Sequence, residues 1–290
     1  MMIDVRSGGD AVLAVNHRLT KAGVDNPRLD ARLLVAHVLE ITPTRLFSYP
    51  ETQLNAGQVE QLCSLVDRRA QREPMARILG SREFWSLNFK VNESTLVPRP
   101  DSETIIEAVL ARIEDRNAPL SILDLGTGSG CLLLALLSEL KAATGLGVDI
   151  SEHALKTASR NAQTLGFGDR ARFQRSNWFE NIDKTEMPFD LIICNPPYIS
   201  DDDITRLEPD VSKYDPYVAL SGGSDGLDSY RKLIPKMADP LTLDGMIAIE
   251  VGMNQALDVA GFGEAGALEL EKICKDIAGL DRVLVFRLKP

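Results

Sequence analysis

The sequence predicts an α/β protein with a doubly wound, mostly parallel sheet, preceded by a small N-terminal helical domain and a linking β-hairpin. Apolar residues recur at three- and four-residue spacing between residues 10 and 75, which is typical of helices. Aromatic and β-branched residues alternate with polar ones from 78 to 98, which indicates a hairpin. From residue 119 onward, strand and helix patterns alternate, as they do in parallel sheets covered by helices. We therefore expect a helical domain at 1–77, a hairpin and linker helix at 78–118, and a main domain at 119–290.

The helical domain is predicted from two amphipathic stretches, punctuated by Pro43, Pro50 and Gly57. Their apolar faces comprise Leu29, Leu33, Leu34 and Val38 in the first stretch and Val59, Leu62, Leu65 and Val66 in the second. A basic stretch follows, made of Arg68, Arg69, Arg72 and Arg77. Its favoured interpretation is a solvated helix face.

In the linking region, Asn92 is a candidate turn residue. The run DSETIIEAVLARIED after Pro100 begins with capping-type Asp, Ser and Glu residues and continues with helical apolar spacing. This pattern predicts a linker helix of about three turns.

The main domain is predicted to contain at least six strands. Five have the sequences SILDLG, GLGVDI, RARFQRS, FDLIICN and GMIAIEV, and the late run VLVFRL suits an antiparallel strand. Helices are expected up to about residue 142, at 152–165, near 227–238 and at 255–265. The last helix is the weakest prediction because Gly261 and Gly263 would each cost it about 1 kcal/mol.

Composition limits the class of protein. The chain has 290 residues, 44% of them hydrophobic, and a formal net charge of −10, so it repels polyanions at long range. Four scattered cysteines and three histidines offer no spacing typical of a metal site. Residues 1–10 show no basic region followed by an apolar run, and no long apolar window is present, so we expect a cytoplasmic protein without a membrane span.

A glycine-rich segment follows the first strand of the main domain, at the edge where doubly wound sheets bind ligands. It comprises Asp124, Gly126, Thr127, Gly128, Ser129 and Gly130, and Asp149 ends the next strand. Glycines let the backbone turn tightly and approach a ligand. An acidic residue about twenty residues further along the chain, at the end of the next strand, is placed to accept hydrogen bonds from ribose hydroxyls. One interpretation of the segment is a dinucleotide site, and another is a purely structural turn. The presence of Asp149 at the end of the next strand makes the structural turn less favoured.

The ligand that fits this segment better carries positive charge and no phosphate. The glycine spacing is G-x-G-x-G rather than G-x-G-x-x-G, and Asp124 would place a carboxylate beside a pyrophosphate. S-adenosylmethionine has a ribose, an adenine, a sulfonium and an amino-acid end. Trp178 after the third strand could stack on adenine, or could belong to the core, and Asn177 could hydrogen-bond the edge of the base.

The fourth strand ends in Asn195-Pro196-Pro197-Tyr198 at the same predicted edge. Two prolines hold the backbone extended and without N–H donors, so that its carbonyls are free to accept. The Asn195 side-chain oxygen and the Pro196 carbonyl could accept both protons of a planar NH2 group, and Tyr198 could pack on its flat face. Such acceptors favour a pyramidal, nucleophilic nitrogen without a side-chain base, which fits the scarcity of histidine.

This combination resembles the class I S-adenosylmethionine-dependent methyltransferases that methylate amino groups and carry an NPPY motif. Four further segments are similar to the release factor glutamine methyltransferase family, and the similarity covers nearly the whole chain. They are EPMARILGSREFWS at 73–86, LVPRPDSE at 96–103, LSGGSDGL at 220–227 and KDIAGLDRV at 275–283.

The resemblance implies a Rossmann-like methyltransferase that methylates N5 of the glutamine in the Gly-Gly-Gln motif of class 1 peptide chain release factors. Residues 126–130 with Asp149 and Trp178 would hold the cofactor, and residues 195–198 the glutamine amide. The helical domain would recognise the release factor away from the catalytic loop, and 96–103 would wall the active site. No metal and no direct nucleic-acid partner are expected.

Two positions depart from the family pattern. This chain has Ser176-Asn177-Trp178 where the family more often has Ser-Asp-Trp, so an amide at 177 replaces a carboxylate near adenine. Asp215-Pro216 stands where Glu-Pro is commoner, in a loop expected near the substrate. Neither change removes the core chemistry.

Three alternatives remain for the substrate or role. A sister family methylates a glutamine of a large-subunit ribosomal protein, but it resembles Val-Pro-Arg-Ser where this chain has Val97-Pro98-Arg99-Pro100. A DNA or RNA base methyltransferase would also use NPPY, but the net charge of −10 disfavours it. A non-enzymatic assembly factor is disfavoured by the intact motif at 195–198.

Overall fold

The computed structural model describes residues 7–290 and divides the chain into two compact units. The first comprises the chain up to Gly80 together with Glu208–Tyr214, and the second comprises Ser81–Leu207 and Asp215–Pro290. Part of the N-terminal segment from which a cytoplasmic protein was expected, residues 1–6, lies outside the described residues.

The first unit is helical, as predicted for 10–75. Its helices are α1 (Gly8–Lys21), α2 (Pro27–Val38), α3 (Pro43–Ser48), α4 (Ala56–Ala70) and α5 (Met75–Leu79). Proline at the start of α2 and α3 suits a position whose N–H would be unpaired, and Asn55 and Gln58 form a capping box at α4. Val15, Leu34 and Leu62 are fully buried in the core of this unit.

The linking hairpin consists of β1 (Ser81–Phe84) and β2 (Leu87–Lys90), which confirms the predicted hairpin. Its turn is Trp85-Ser86, whose φ angles of 50° and 59° are those of a two-residue hairpin turn. Asn92 lies beyond β2 in a separate turn, where its side chain accepts a hydrogen bond from Ser94 N at 3.0 Å. The linker helix α6 spans only Glu103–Leu110 and follows a short 3₁₀ turn, so it is shorter than predicted.

The second unit contains a seven-stranded sheet. Its strands are β3 (Ser121–Leu125), β4 (Thr144–Asp149), β5 (Ala171–Arg175), β6 (Phe189–Cys194), β7 (Leu241–Glu250), β8 (Leu268–Lys275) and β9 (Asp281–Leu288). The order is β5-β4-β3-β6-β7-β9-β8, with β9 antiparallel to both neighbours and the other pairings parallel. This is the doubly wound sheet that the sequence predicted.

The remaining helices follow the strands of the sheet in sequence. They are α7 (Cys131–Glu139), α8 (Glu152–Thr164), α9 (Asp201–Ile204), α10 (Pro209–Ser212), α11 (Asp228–Leu233) and α12 (Ala256–Glu264). Helix α12 confirms the weakest helix prediction despite its two glycines. Each face of the sheet buries its own apolar cluster, with Leu133 and Ile193 on one face and Ile192 and Phe286 on the other.

Strand register brings the carboxyl ends of four strands to one level. Leu125 of β3 pairs with both Val148 of β4 and Cys194 of β6, and Cys194 pairs with Ile249 of β7. The residues that follow these paired positions are therefore neighbours at one edge of the sheet. The chain leaves β3 and β6 in opposite directions at this point, which is where open α/β sheets bind ligands.

Helix α10 belongs to the first unit although it follows β6 in sequence, a grouping that the sequence patterns did not indicate. Asp210 of α10 accepts a hydrogen bond from Arg69 at 2.6 Å and is also paired with Arg72. Arg69 is only 6% exposed and also contacts Asp30 at 2.7 Å. The prediction of a solvated arginine face was therefore wrong for Arg69, because two carboxylates that are distant in sequence compensate its burial.

Candidate active site

A cavity opens in the second unit at the edge where β3, β4 and β6 end. Nine of the predicted site residues line it, namely Gly126, Thr127, Gly128, Ser129, Asp149, Asn177, Trp178, Asn195 and Pro197. Four others, Asp124, Gly130, Pro196 and Tyr198, do not line the cavity. The structure thus brings the predicted cofactor segment and the NPPY motif to one cavity.

The glycine segment turns sharply from β3 into α7. Gly126, Gly128 and Gly130 all have positive φ angles, of 74°, 55° and 81°, which favour glycine. The backbone N–H groups of Gly126 and Thr127 both donate to the Val148 carbonyl at 2.9 Å, which fastens the turn to β4. At Gly130 a Cβ atom would lie 3.2 Å from that of Ala158, so this glycine also lets α7 and α8 pack closely.

Asp124 is 1% exposed and supports the turn from beneath. One carboxylate oxygen accepts a hydrogen bond from the Thr127 hydroxyl at 2.6 Å, and Oδ1 has no hydrogen-bonding partner among residues 7–290. Burial raises the pKa of Asp124 to about 7, more than the Thr127 hydrogen bond lowers it. An unpaired buried carboxylate oxygen at this place suits a ligand that carries positive charge.

Asp149 faces the cavity from the end of β4. Each of its oxygens accepts one backbone hydrogen bond, Oδ2 from Gly128 N at 2.9 Å and Oδ1 from Ser151 N at 2.8 Å. A carboxylate oxygen has a second lone pair, so acceptor capacity remains for two hydroxyl groups. Burial raises the pKa of Asp149, which these backbone hydrogen bonds partly offset.

Trp178 is half-buried and packs over the glycine turn. Its ring edge lies 3.5 Å from the place where a Cβ atom on Gly126 would stand, which is the distance of an ordinary van der Waals contact. Asn177 donates through Nδ2 to Glu180 at 2.9 Å, which leaves its side-chain oxygen available as an acceptor. The amide thus offers an acceptor where the family pattern has a carboxylate.

These residues fit S-adenosylmethionine. The glycine turn forms a cradle without side chains, Asp149 offers acceptors for two ribose hydroxyls, and Asp124 has an unpaired oxygen behind the turn. The cavity wall also contains an indole and an amide acceptor for an adenine, and Arg99, a cation in this wall, is already paired with Asp215. This donor and acceptor set favours a sulfonium nucleoside over a dinucleotide.

Asn195 lies beside this cradle, directly after the end of β6. Its Nδ2 donates to the Ser102 hydroxyl oxygen at 3.0 Å, so its Oδ1 is the atom left to accept. Among residues 7–290, neither Oδ1 nor the Pro196 carbonyl accepts a hydrogen bond. Two consecutive acceptors therefore remain at the place where the sequence predicted an amide site.

Tyr198 is held at both its backbone and its ring. Its hydroxyl donates to Glu250 Oε1 at 3.1 Å, and its carbonyl accepts from Gln255 Nε2 at 2.9 Å. Burial and the neighbouring Glu250 raise the pKa of Tyr198, so the phenol stays protonated. Tyr198 is thus a neutral, fixed ring and has no role as a base.

Sequence reasoning missed the residues that support the NPPY segment. They are Ser102, Gly226, Glu250 and Gln255, and each contacts Asn195 or Tyr198 or their backbone. Gly226 has a φ of 78°, and a Cβ atom there would overlap the Tyr198 carbonyl oxygen. The LSGGSDGL segment at 220–227, already noted for its similarity to the family, could have indicated this contact. Ile199, directly after the NPPY segment, donates through N to Leu220 O and accepts at its carbonyl from Gly222 N.

Two further segments complete the cavity wall. Leu96, Pro98, Arg99 and Ser102 line one side, and Pro216, Val218 and Ala219 line another. Arg99 forms a salt bridge with Asp215, whose side chain is fully buried. The segment at 96–103 therefore borders the cavity, and Asp215, which departs from the family pattern, pairs with the arginine of this segment.

Within residues 7–290, no helix is long and apolar enough to cross a membrane. The same part of the chain contains no cluster of His, Cys, Asp or Glu side chains suited to a metal ion.

The sheet order, the glycine turn and the acidic end of β4 define a class I methyltransferase fold. Residues 117–214 match a family model described as a methyltransferase domain, and residues 10–80 match one described as the PrmC N-terminal domain. A solved structure of the hMettl16 catalytic domain in complex with the MAT2A 3'UTR hairpin 6 is similar at a TM-score of 0.55 and 13% identity, over 81% of this chain and 83% of that one. This likeness shows the fold alone.

Curated relatives identify the family within that class. A release factor glutamine methyltransferase from Rhodospirillum rubrum is 46% identical, covering 93% of this chain and 82% of that protein. One from Agrobacterium fabrum is 41% identical, covering 97% of this chain and 99% of that protein. The chain belongs to the release factor glutamine methyltransferase family, as the quoted motifs predicted.

Proposed function

We propose that this protein transfers a methyl group from S-adenosylmethionine to N5 of the glutamine in the Gly-Gly-Gln motif of class 1 peptide chain release factors. One observation carries the chemistry. Asn195 Oδ1 and the Pro196 carbonyl are consecutive acceptors that no donor within residues 7–290 occupies, next to a cavity suited to the cofactor. The names of the relatives support glutamine in release factors as the substrate.

The acceptors solve the chemical difficulty of an amide nucleophile. The nitrogen lone pair of glutamine is delocalised into its carbonyl, and acceptors for both N–H bonds favour the pyramidal nitrogen on which the lone pair is available. Asn195 and Pro196 fill these positions, while Tyr198 and Pro197 confine the amide group. Catalysis then rests on orientation and on fixed dipoles rather than on a side-chain base.

The cofactor is held by the glycine turn and the neighbouring strand ends. Gly126 to Gly130 would accommodate its amino-acid end, Asp149 its ribose, and Asn177 with Trp178 its adenine, while Asp124 would balance its positive charge through the turn. When bound, S-adenosylmethionine supplies an electrophilic methyl group on sulfur.

The helical unit is the proposed contact for the rest of the release factor, with 1–77 as the recognition domain, 78–118 as the link and 119–290 as the methyltransferase domain. Because release factors act in translation, the cytoplasm is the proposed location. No direct contact with nucleic acid and no metal ion are part of this proposal.

The test is transfer of labelled methyl from S-adenosylmethionine to purified release factor. Three alternative acceptors are assayed in parallel: a matched release factor carrying Gly-Gly-Ala, a large-subunit ribosomal protein and duplex DNA. We expect label on the Gly-Gly-Gln protein only. Label on the ribosomal protein or DNA, or equal label on the Gly-Gly-Ala variant, would overturn the substrate assignment.

A further inference from the structure

Asn161 is a buried side chain of α8 that the proposed function does not use. It is 1% exposed and does not line the cavity. Its Oδ1 accepts from Lys90 N at 2.9 Å, and its Nδ2 donates to the Lys90 carbonyl at 3.1 Å and to the Ser129 carbonyl at 2.9 Å. A side-chain amide has two N–H groups and one carbonyl, so each of its polar groups is bonded. Asn161 thus connects β2 of the hairpin with the glycine turn.

The Ser129 carbonyl depends on this side chain for a donor. Helix α7 begins at Cys131, and its first turn is closed by a hydrogen bond from Leu134 N to the Gly130 carbonyl. Among the backbone hydrogen bonds of residues 7–290, none ends on the Ser129 carbonyl. Because a buried carbonyl without a donor is costly, the Asn161 amide satisfies a group that the helix leaves unpaired.

The peptide that joins Ser129 to Gly130 lies between two glycines. Gly128 and Gly130 have φ angles of 55° and 81°, and glycine permits many other backbone conformations. Two hydrogen bonds keep the peptide in one orientation. Gly130 N donates to the Thr127 carbonyl at 2.8 Å, and the Ser129 carbonyl accepts from Asn161.

The orientation of this peptide matters for the cavity that Ser129 lines. Since Asn161 is buried and stands outside the cavity wall, the Ser129 carbonyl that it holds points away from the cavity. Rotation of the peptide would turn the carbonyl oxygen towards the cavity. The amino-acid end of S-adenosylmethionine bears a carboxylate, and a carbonyl oxygen facing it would repel it.

The same face of α8 also holds the segment that follows β2. Thr157, one helical turn before Asn161 and 6% exposed, accepts through its hydroxyl from Asn92 Nδ2 at 2.8 Å. Residues 94–96, shortly after Asn92, line the cavity. Thr157 and Asn161 therefore both fasten the hairpin side of the cavity to α8, and Asn161 reaches the glycine turn as well.

We propose that Asn161 is a positioning residue of the cofactor site, which keeps the Ser129 carbonyl turned out of the cavity and fixes the glycine turn to the hairpin. The inference deepens the proposed function, because it rests on S-adenosylmethionine as the ligand of the cavity. It does not depend on the identity of the methyl acceptor. Asn161 acts through the backbone of Ser129 and touches neither cofactor nor substrate.

The first experiment measures the affinity of the full-length protein for S-adenosylmethionine by calorimetry. We expect Asn161→Ala to weaken it by at least about tenfold, since the loss of one buried hydrogen bond changes an equilibrium by about this factor. The kcat with both substrates saturating should stay close to that of wild type, because the NPPY segment is untouched.

The matched control is Thr157→Val, which keeps the shape of the side chain and removes the contact with Asn92. It leaves the hydrogen bond from Asn161 to Ser129 in place, so its affinity for S-adenosylmethionine should equal that of wild type. If both side chains merely attach the hairpin, the two variants lose affinity equally, and the proposal is wrong.

The second experiment observes the Ser129 carbonyl by NMR and needs no cofactor. Protein labelled with ¹³C at the serine carbonyl and with ¹⁵N in glycine gives signals from Ser-Gly pairs, of which the sequence has three, Ser7-Gly8, Ser129-Gly130 and Ser221-Gly222. The Ser129-Gly130 signal is assigned with Ser129→Ala. We expect it to move in Asn161→Ala and to stay in place in Thr157→Val.

Asn161→Asp serves as a second variant if Asn161→Ala does not fold. It keeps the size of the side chain and an acceptor for Lys90 N, but a carboxyl group has at most one proton and cannot donate to both carbonyls. In every variant the affinity must follow the Ser129 signal. A signal that moves without loss of affinity, or a loss of affinity with the signal in place, would overturn the proposal.

The proposed function fails separately. If wild type methylates no release factor while affinity for S-adenosylmethionine and the Ser129 signal change together, the proposed methyl acceptor is wrong and the role of Asn161 stands.

Discussion

The cofactor cradle and the NPPY segment meet at one cavity, but they are held in different ways. In the cradle, residues 124–130 with Asp149, backbone N–H groups of the turn donate to the Val148 carbonyl and to the Asp149 carboxylate of the adjacent strand β4. The NPPY segment, residues 195–198, is fastened by side chains that come from positions 102, 250 and 255. The cradle is thus built from one short stretch and its neighbouring strand, whereas the amide site is assembled from distant parts of the second unit.

This difference has a consequence for substitutions. Changes in the cradle should weaken cofactor binding, whereas changes in the supports of the NPPY segment should impair chemistry and leave cofactor binding nearly intact. Four substitutions, at Asn195, Asp149, Gly226 and Trp178, separate these two outcomes.

Asn195→Ala should produce the largest loss of methylation. Removing a group that contacts the transition state typically costs about a hundredfold or more in rate. Cofactor affinity, measured by calorimetry, should stay close to that of wild type. Asn88→Ala, at an exposed position of β2, is the control for loss of an asparagine. Near-normal turnover of Asn195→Ala would remove Asn195 from the mechanism.

Asp149→Ala should lower the affinity for S-adenosylmethionine by at least about a hundredfold, since two hydrogen bonds to a charged acceptor are worth about 3 kcal/mol or more. Loss of the contacts to Gly128 N and Ser151 N adds to the effect. Calorimetry measures the affinity, and Glu152→Ala is the control because its carboxylate is exposed and is paired with Arg175. Wild-type affinity would refute the ribose role.

Gly226→Ala should lower kcat by about tenfold while changing cofactor affinity little, because its Cβ would push the Tyr198 carbonyl out of place. The matched control is Gly166→Ala. Gly166 has a similar φ of 81° but no atom within 4 Å of the added carbon, so it carries the same backbone strain without the contact. Equal losses of activity in the two variants would show that strain, and not displacement of Tyr198, is responsible.

The smallest effect is spectroscopic. If Trp178 stacks on adenine, S-adenosylmethionine should quench part of the tryptophan fluorescence, and Trp178→Phe should abolish that response. The chain has only one other tryptophan, Trp85, in the hairpin turn. Quenching that persists in Trp178→Phe would assign the signal to Trp85 and would leave Trp178 with a packing role in the core only.

Much of the fold could be predicted because its patterns are local. The predicted strands and helices of the sheet are present, and even α12 forms around Gly261 and Gly263, because Val259 and Ala260 are buried against the sheet. Strand β8 was missed although LELE alternates apolar and charged residues, because this alternation breaks at Glu271-Lys272. The register of β8 with β9 shifts between Leu270 and Lys272, and such an irregularity interrupts the period of two that identifies a strand.

The candidate site could be predicted in part for the same reason. Gly126, Asp149 and Asn195 stand at strand ends, where chain order and the parallel sheet imply their proximity. Glu250 also ends a strand, but nothing in the sequence indicates that it accepts from Tyr198 rather than facing solvent. Arg69 likewise reads as part of a charged helix face until Asp30 and Asp210 are seen beside it.

The helical unit, the doubly wound sheet, the glycine cradle and the NPPY acceptors could be predicted from sequence, because helix and strand periodicity, glycine conformations and proline constraints are properties of short stretches. The groups that hold the NPPY segment in place became visible in the folded chain alone. Ser102, Gly226, Glu250 and Gln255 reach the NPPY segment from elements far away in sequence. Hydrogen bonds between such elements depend on strand register and packing, which no local pattern encodes.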